Sequence, residues 1–168
     1  MIVSIIYLII SFLLENIMAN IFTSTLGNPS YFTTVYTIIA LVVIYPYFSN
    51  DKKYLILVVV FGALFDILYS STILINLVIF FMVAVVIKIL NNIISDNIIM
   101  INIISIISVT VYHLLTFIIL NIATSSVYSI SLFFGIITHS VLMTIVYTSI
   151  SYLIIKLIYN KIDVKQIK

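Results

Sequence analysis

Four titratable side chains lie inside long hydrophobic stretches of this sequence: Glu15, Asp66, His113 and His139. Carboxylates and imidazoles perform acid–base chemistry and bind metals, but in hydrocarbon each needs a partner or water. No two of the four are three or four residues apart, the spacing that places two ligands on one helix face. The spacing therefore does not support a metal site, and we expect neither a metal nor another cofactor.

The composition identifies the medium in which these groups lie. Of the 168 residues, 64% are hydrophobic and 7% are charged, whereas soluble domains carry roughly 25% charged residues. This number of charged residues is too small to form the surface of a soluble globular domain. The sequence therefore predicts an integral membrane protein and excludes a soluble enzyme or a nucleic-acid-binding domain. The sequence has no Cys and no Arg, and no catalytic constellation or phosphate-binding loop is recognisable in it. We therefore expect a protein that is not an enzyme.

Charged and turn-forming residues divide the sequence into six hydrophobic blocks. Most approach the roughly 20 residues that a helix needs to cross the hydrocarbon, and strict alternation, the mark of a barrel, is absent. The sequence predicts an all-α fold of six transmembrane helices with short loops over residues 1–158, then a short basic tail over 159–168. The blocks are 2–22, 31–48, 54–69, 73–90, 98–120 and 130–158.

The lysines indicate an orientation. Six spans place both termini on one side of the membrane, and every lysine then falls on that side. The positive-inside rule makes this side cytoplasmic, so we expect a multi-pass protein of the inner membrane with both termini in the cytoplasm. The seven residues are Lys52, Lys53, Lys88, Lys156, Lys161, Lys165 and Lys168.

Helix counting places the titratable groups in one layer. At 1.5 Å per residue, all four lie roughly 6–14 Å below the outer surface, and Asn76 joins them. One interpretation is a polar cavity that opens outward and binds a ligand. The other is a set of hydrogen bonds between helices that fixes the bundle. The sequence leaves both open.

Two helix faces carry small residues at intervals of four. Gly62 and Asp66 share one face, and Ser131, Gly135 and His139 share another. Small residues let helix backbones approach closely. Each face is a candidate either for packing within the bundle or for contact with a partner helix.

The middle of the chain resembles a known family. Residues 60–72 read Val-Phe-Gly-Ala-Leu-Phe-Asp-Ile-Leu-Tyr-Ser-Ser-Thr, and residues 28–31 read Asn-Pro-Ser-Tyr. The first segment resembles the Gly-x-x-x-Asp-Leu stretch and small-residue turn of the rod-shape-determining protein MreD family, and the second resembles that family's proline at the start of its second span. The resemblance implies a non-catalytic component of the cell-elongation complex, which maintains cell shape by scaffolding peptidoglycan synthesis with MreC and other wall-synthesis membrane proteins.

The resemblance also leaves an alternative function open. The MreD fold is similar to the six-helix substrate-binding subunit of energy-coupling-factor transporters, so the chain could instead capture a vitamin or a metal. Such subunits often carry an Ala-x-x-x-Ala docking stripe in the first helix, whereas the first block here has only Ala19. Fold likeness alone does not decide between the two functions.

Overall fold

The fold is a bundle of helices. The computed structural model describes residues 2–22, 34–48, 50–69, 74–93, 97–123 and 129–166, and all their regular structure is helical. This confirms the all-α prediction. The helices are α1 (Ile2–Ile21), α2 (Tyr36–Ile44), α3 (Asp51–Tyr69), α4 (Ile75–Ile93), α5 (Ile98–Ala123) and α6 (Ile130–Gln166), and a 3-10 turn (Tyr45–Tyr47) follows α2.

Successive helices run in opposite directions. Asp51, the first residue of α3, forms an ion pair of 2.6 Å with Lys88 near the end of α4. Asp66, near the end of α3, binds Asn76 at the start of α4. At the other side of the bundle, Ser4 of α1 lies 2.5 Å from the hydroxyl of Tyr159, late in α6. The beginning of α1 and the last turns of α6 therefore lie at the same end of the bundle. The lysines with described side chains lie at this end too: Lys52, Lys53, Lys88, Lys156 and Lys161.

Helix α2 occupies the centre of the bundle. All nine of its residues are buried, and it packs against α1, α4, α5 and α6. A helix that is apolar all round is suited to burial on every side. Its length is about 14 Å, half of the roughly 30 Å of hydrocarbon. Pro46 lies in the 3-10 turn that ends it, because a proline cannot continue the ladder of helical hydrogen bonds. Of the predicted block 31–48, whose described residues are 34–48, the α-helix therefore covers only Tyr36–Ile44, and the chain leaves the α-helix just before Pro46.

Of the six α-helices in the described part of the chain, four are long and apolar enough to cross a membrane. They are α1, α4, residues 98–122 of α5 and residues 130–161 of α6. Helix α2 is too short, and α3 carries three charged residues in its first turn as well as Asp66. The prediction of six helices is thus confirmed, and the properties of a span are evident in four of them.

Several polar segments that the sequence assigned to loops are helical. Residues 51–53 form the first turn of α3, where the Asn50 side chain accepts a hydrogen bond of 2.8 Å from the Lys52 amide, as an N-cap residue does. Residues 91–93 complete α4, and residues 159–166, in the predicted basic tail, continue the helix α6. A helix that leaves the apolar region can continue through polar residues, so hydropathy marks the limits of the apolar region and not those of the helix.

Candidate functional site at the starts of helices α2 and α4

Asp66 binds the first turn of the following helix. Its side chain is 5% exposed. One carboxylate oxygen, Oδ1, accepts hydrogen bonds from the backbone N–H and the side-chain amide of Asn76, both at 3.0 Å. The other, Oδ2, accepts one from the backbone N–H of Leu77, also at 3.0 Å. Asp66 therefore caps α4 from the neighbouring helix, at the position where the helix macrodipole favours a negative charge.

The start of α4 needs such an external cap. The residue before the helix is Leu74, whose side chain has no oxygen to accept a backbone hydrogen bond. Leu74 also has a φ of 67°, in the left-handed region that a leucine rarely adopts. The backbone N–H groups of the first turn have no acceptor within the helix, so a carboxylate from α3 satisfies donors that would otherwise be buried unpaired.

Gly62 brings the two helices close enough for this contact. A Cβ atom at this position would lie 2.9 Å from Leu77 Cα and 3.2 Å from Phe80 Cβ. Only a glycine fits so near to a neighbouring backbone, and Asp66 lies one turn further along the same face. The face formed by Gly62 and Asp66 therefore packs against α4, within the bundle.

The hydrogen bonds continue from α4 to α5. The Tyr112 hydroxyl donates to Asn76 Oδ1 at 3.2 Å, and both residues are buried. The Tyr112 ring also meets the Phe80 ring edge to face. Asn76 thus joins three helices, through Asp66 of α3, its own position on α4 and Tyr112 of α5. Tyr112 is not among the predicted site residues, although it lies in the fifth hydrophobic block, where a hydroxyl needs a partner.

Glu15 performs the same task for the central helix. Its Oε2 atom accepts hydrogen bonds from the backbone N–H of Thr37 at 3.1 Å and from the Thr37 hydroxyl at 2.5 Å. Thr37 is the second residue of α2, and Val35, which precedes the helix, offers no side-chain cap. Both predicted intramembrane carboxylates thus cap a helix other than their own.

The two histidines lie on the helix pair α5 and α6. His113 has a buried Nε2 atom with no hydrogen-bond partner among the described residues. It borders a cavity of about 70 Å³ whose other lining residues are Thr116, Phe117, Leu120, Leu132, Phe133 and Ile136. His139 Nδ1 lies 2.7 Å from the carbonyl oxygen of Gly135, one turn earlier in α6. Within the described ranges, no cluster of three or more His, Cys, Asp or Glu residues is arranged to hold a metal ion.

This arrangement fixes helices relative to one another. Each carboxylate accepts hydrogen bonds from backbone amides that a helix start must satisfy, so each acts as a structural acceptor. No family model, no curated protein and no solved structure matches this chain. Its function is therefore inferred from its residues and their geometry.

Proposed function

We propose that this protein is a non-catalytic component of the cell-elongation complex in the bacterial inner membrane, which helps to maintain cell shape by scaffolding peptidoglycan synthesis with an MreC-like partner. The observation that carries the proposal is the engagement of Asp66 and Glu15 with the starts of α4 and α2. Because these carboxylates cap helices, they stabilise the bundle. A bundle whose buried carboxylates are structural is expected to act through contacts on its surface, as a scaffold does. The resemblance of residues 60–72 to the MreD family supports the same function.

The proposed contact surface for the partner lies on the first half of α6. The face around Gly62 and Asp66 packs against α4, whereas Ser131 is exposed and Gly135 and His139 are half-buried. Beside them, Phe134 is 60% exposed. A face with a glycine and a serine at an interval of four lets a second helix approach closely. We infer that a helix of the partner packs here, at the depth of the membrane.

The proposed topology has six passes and cytoplasmic termini. The lysines support it, because the described ones lie at the end of the bundle that also holds the start of α1 and the end of α6. The sequence contains no Cys, so single cysteines can be introduced without background. Asn50→Cys and Asn160→Cys should react with an impermeant reagent only after permeabilisation. Asn28→Cys and Ser125→Cys, at positions outside the described residues, should react in intact cells. Labelling of Asn50→Cys in intact cells would contradict the topology.

Depletion of the protein tests the function directly. Rod-shaped host cells should become round, and a tagged copy should co-purify with an MreC-like protein. Gly135→Leu places a large side chain on the proposed contact face and should abolish co-purification while leaving the protein in the membrane. Val85→Leu, at a position on α4 that is 40% exposed, is the matched control and should retain the partner.

A transporter subunit is the competing function that the same experiment detects. The buried Nε2 atom of His113 beside a cavity is the feature that favours ligand capture. That cavity has a volume of about 70 Å³, whereas pockets for small-molecule ligands typically have about 300–1,000 Å³. Depleted cells that keep their shape but lose uptake of one vitamin or metal, together with co-purification of an ATPase pair, would replace the scaffold function with transport.

A further inference from the structure

The imidazole of His113 differs from the other titratable groups inside the bundle. Glu15 and Asp66 accept hydrogen bonds from helix starts, and His139 is hydrogen-bonded within α6. The buried Nε2 atom of His113, by contrast, has no hydrogen-bond partner among the described residues. Buried polar atoms in folded proteins are normally paired, so an unpaired one calls for an explanation. A ligand in the adjoining cavity would supply the missing partner.

The size of this cavity limits what it can hold. Its volume is about 70 Å³, and it lies between α5 and α6. A group the size of a water molecule occupies about 30 Å³ in a liquid, so the cavity has room for about two such groups. It therefore cannot enclose a whole metabolite, but it can hold a hydroxyl group together with the carbon atom that carries it.

The polar groups of the cavity wall are suited to a hydroxyl. His113 and Thr116 are three residues apart on α5, so they are neighbours on one helix face. A neutral imidazole has one donor and one acceptor nitrogen, and the Thr116 hydroxyl, which donates to the Tyr112 carbonyl oxygen at 2.9 Å, can still accept. The other described lining residues are apolar, so nothing among them would pair with a charged group. They are Phe117, Leu120, Leu132, Phe133 and Ile136.

The cavity adjoins the exposed apolar surface of the bundle. Leu120, which lines it, is 36% exposed, and Phe134, next to the lining residue Phe133, is 60% exposed. Both helices have the length and hydropathy of membrane spans, so this surface would meet the acyl chains of the bilayer. A molecule dissolved in the bilayer could therefore place a small polar end in the cavity and leave its apolar chain among the lipids.

We propose that this cavity binds the primary alcohol end of a neutral membrane lipid, with the hydroxyl group hydrogen-bonded to His113 and Thr116 and the apolar chain extending from between α5 and α6 into the bilayer. The residues of the proposed partner face, Ser131, Gly135 and His139, do not line the cavity. The inference therefore goes beyond the proposed function and does not depend on it. It also requires no transport, because the bound lipid stays in the membrane.

The test follows the imidazole nitrogens of the intact protein by nuclear magnetic resonance. The sequence has two histidines, so a chain labelled with nitrogen-15 histidine gives few signals, and those of His113 are identified by their loss in His113→Phe. In nanodiscs of phosphatidylcholine, which has no hydroxyl group, dodecanol should shift the His113 signals until the site is saturated. Dodecane should bind at least about fivefold more weakly, because it leaves the buried Nε2 atom unpaired.

Leu132→Phe fills the cavity and should abolish the saturable shift although His113 is still present. Leu142→Phe is the matched control, since Leu142 is 60% exposed on the same helix and does not line the cavity, and it should respond as the parent chain does. Equal affinity for dodecanol and dodecane, or parent affinity in Leu132→Phe, would overturn the proposal. Magnetisation transfer from water to His113 that persists at saturating dodecanol would show a water site and overturn it too. Size-exclusion profiles identical to that of the parent chain establish that each variant is folded.

Discussion

Gly62→Ala is the most direct test of the contact between α3 and α4. The new Cβ would lie 2.9 Å from Leu77 Cα, whereas carbon atoms pack at about 3.5–4.0 Å. The two backbones would thus have to separate by about 0.6–1 Å. Overpacking of this kind costs about 1–3 kcal/mol, and a clash with backbone belongs at the upper limit because the obstacle cannot rotate away. Alanine has a higher helix propensity than glycine, which stabilises the helix by about 1 kcal/mol. We therefore expect the free energy of unfolding to fall by about 2 kcal/mol in total.

The same separation would weaken the cap on α4 by lengthening one of its hydrogen bonds. Asp66 Oδ2 lies 3.0 Å from the Leu77 amide nitrogen, and a further 0.6–1 Å would take the pair beyond the roughly 3.2 Å of an ordinary hydrogen bond. Gly62→Ala and Asp66→Leu therefore remove a shared interaction. The double variant should lose less stability than the two single variants together, by about 1 kcal/mol.

Thermal stability of a fluorescent-protein fusion, followed by size-exclusion chromatography after heating, is a suitable measurement because the sequence has no Trp. For a chain of this size, a loss of 2 kcal/mol lowers the melting temperature by about 4–8 °C. Gly135→Ala, at a half-buried glycine within α6, is the matched control because it shares the gain in helix propensity. A melting temperature for Gly62→Ala equal to that of the parent chain, or strictly additive losses in the double variant, would refute the proposed contact.

Three further predictions concern the polar contacts and use the same heating assay. Asp66→Asn offers one carbonyl oxygen to three donors and should lower the free energy of unfolding by about 1–2 kcal/mol. Asp66→Leu removes the carboxylate acceptor of all three and should lower it by about 3 kcal/mol or more; the reverse order would contradict the cap. Glu15→Gln and Thr37→Val should each lower the free energy of unfolding by about 1 kcal/mol. Because both remove the same contact, the double variant should lose less than the sum of the two single losses. Full additivity would show that the contact does not form. Asp51→Asn removes the half-exposed ion pair with Lys88 and should leave the melting temperature unchanged in high salt, where a large drop would reveal a buried pair.

Much of the helical layout follows from hydropathy. The predicted blocks begin at Ile2, Ile98 and Ile130, and helices α1, α5 and α6 begin at the same residues. Polar residues directly precede Ile98 and Ile130, so the change in hydropathy marks both of these helix starts. The position of α2 could not be predicted in this way. Lipid and protein interior are both apolar, so the run of hydrophobic residues before Pro46 is equally suited to a lipid-facing span and to a central helix surrounded by protein.

The helix caps could not be predicted from the sequence either, because the capping oxygens come from residues that are distant along the chain. Sequence signals for a helix start lie in the residue that precedes it, and here those residues are Val35 and Leu74, which provide no cap. The oxygens come from Glu15 and Asp66, which lie 22 and 10 residues before the amides of Thr37 and Asn76 that they bind. A helix start without a local cap, together with a carboxylate in an adjacent span, is the signal that could have suggested this pairing.

The central position of α2 determines when the bundle can be completed during synthesis. Of the four helices around it, three follow it in the chain, and the Thr34 hydroxyl just before it contacts Thr144, 110 residues later, at 2.7 Å. Helix α2 therefore enters the membrane before most of its neighbours exist. It reaches its final surroundings only after the ribosome has delivered the first half of α6. Contacts between residues so far apart form late, and a nascent chain that stops before Thr144 leaves the most apolar segment of the protein exposed to the enzymes that degrade unassembled membrane proteins.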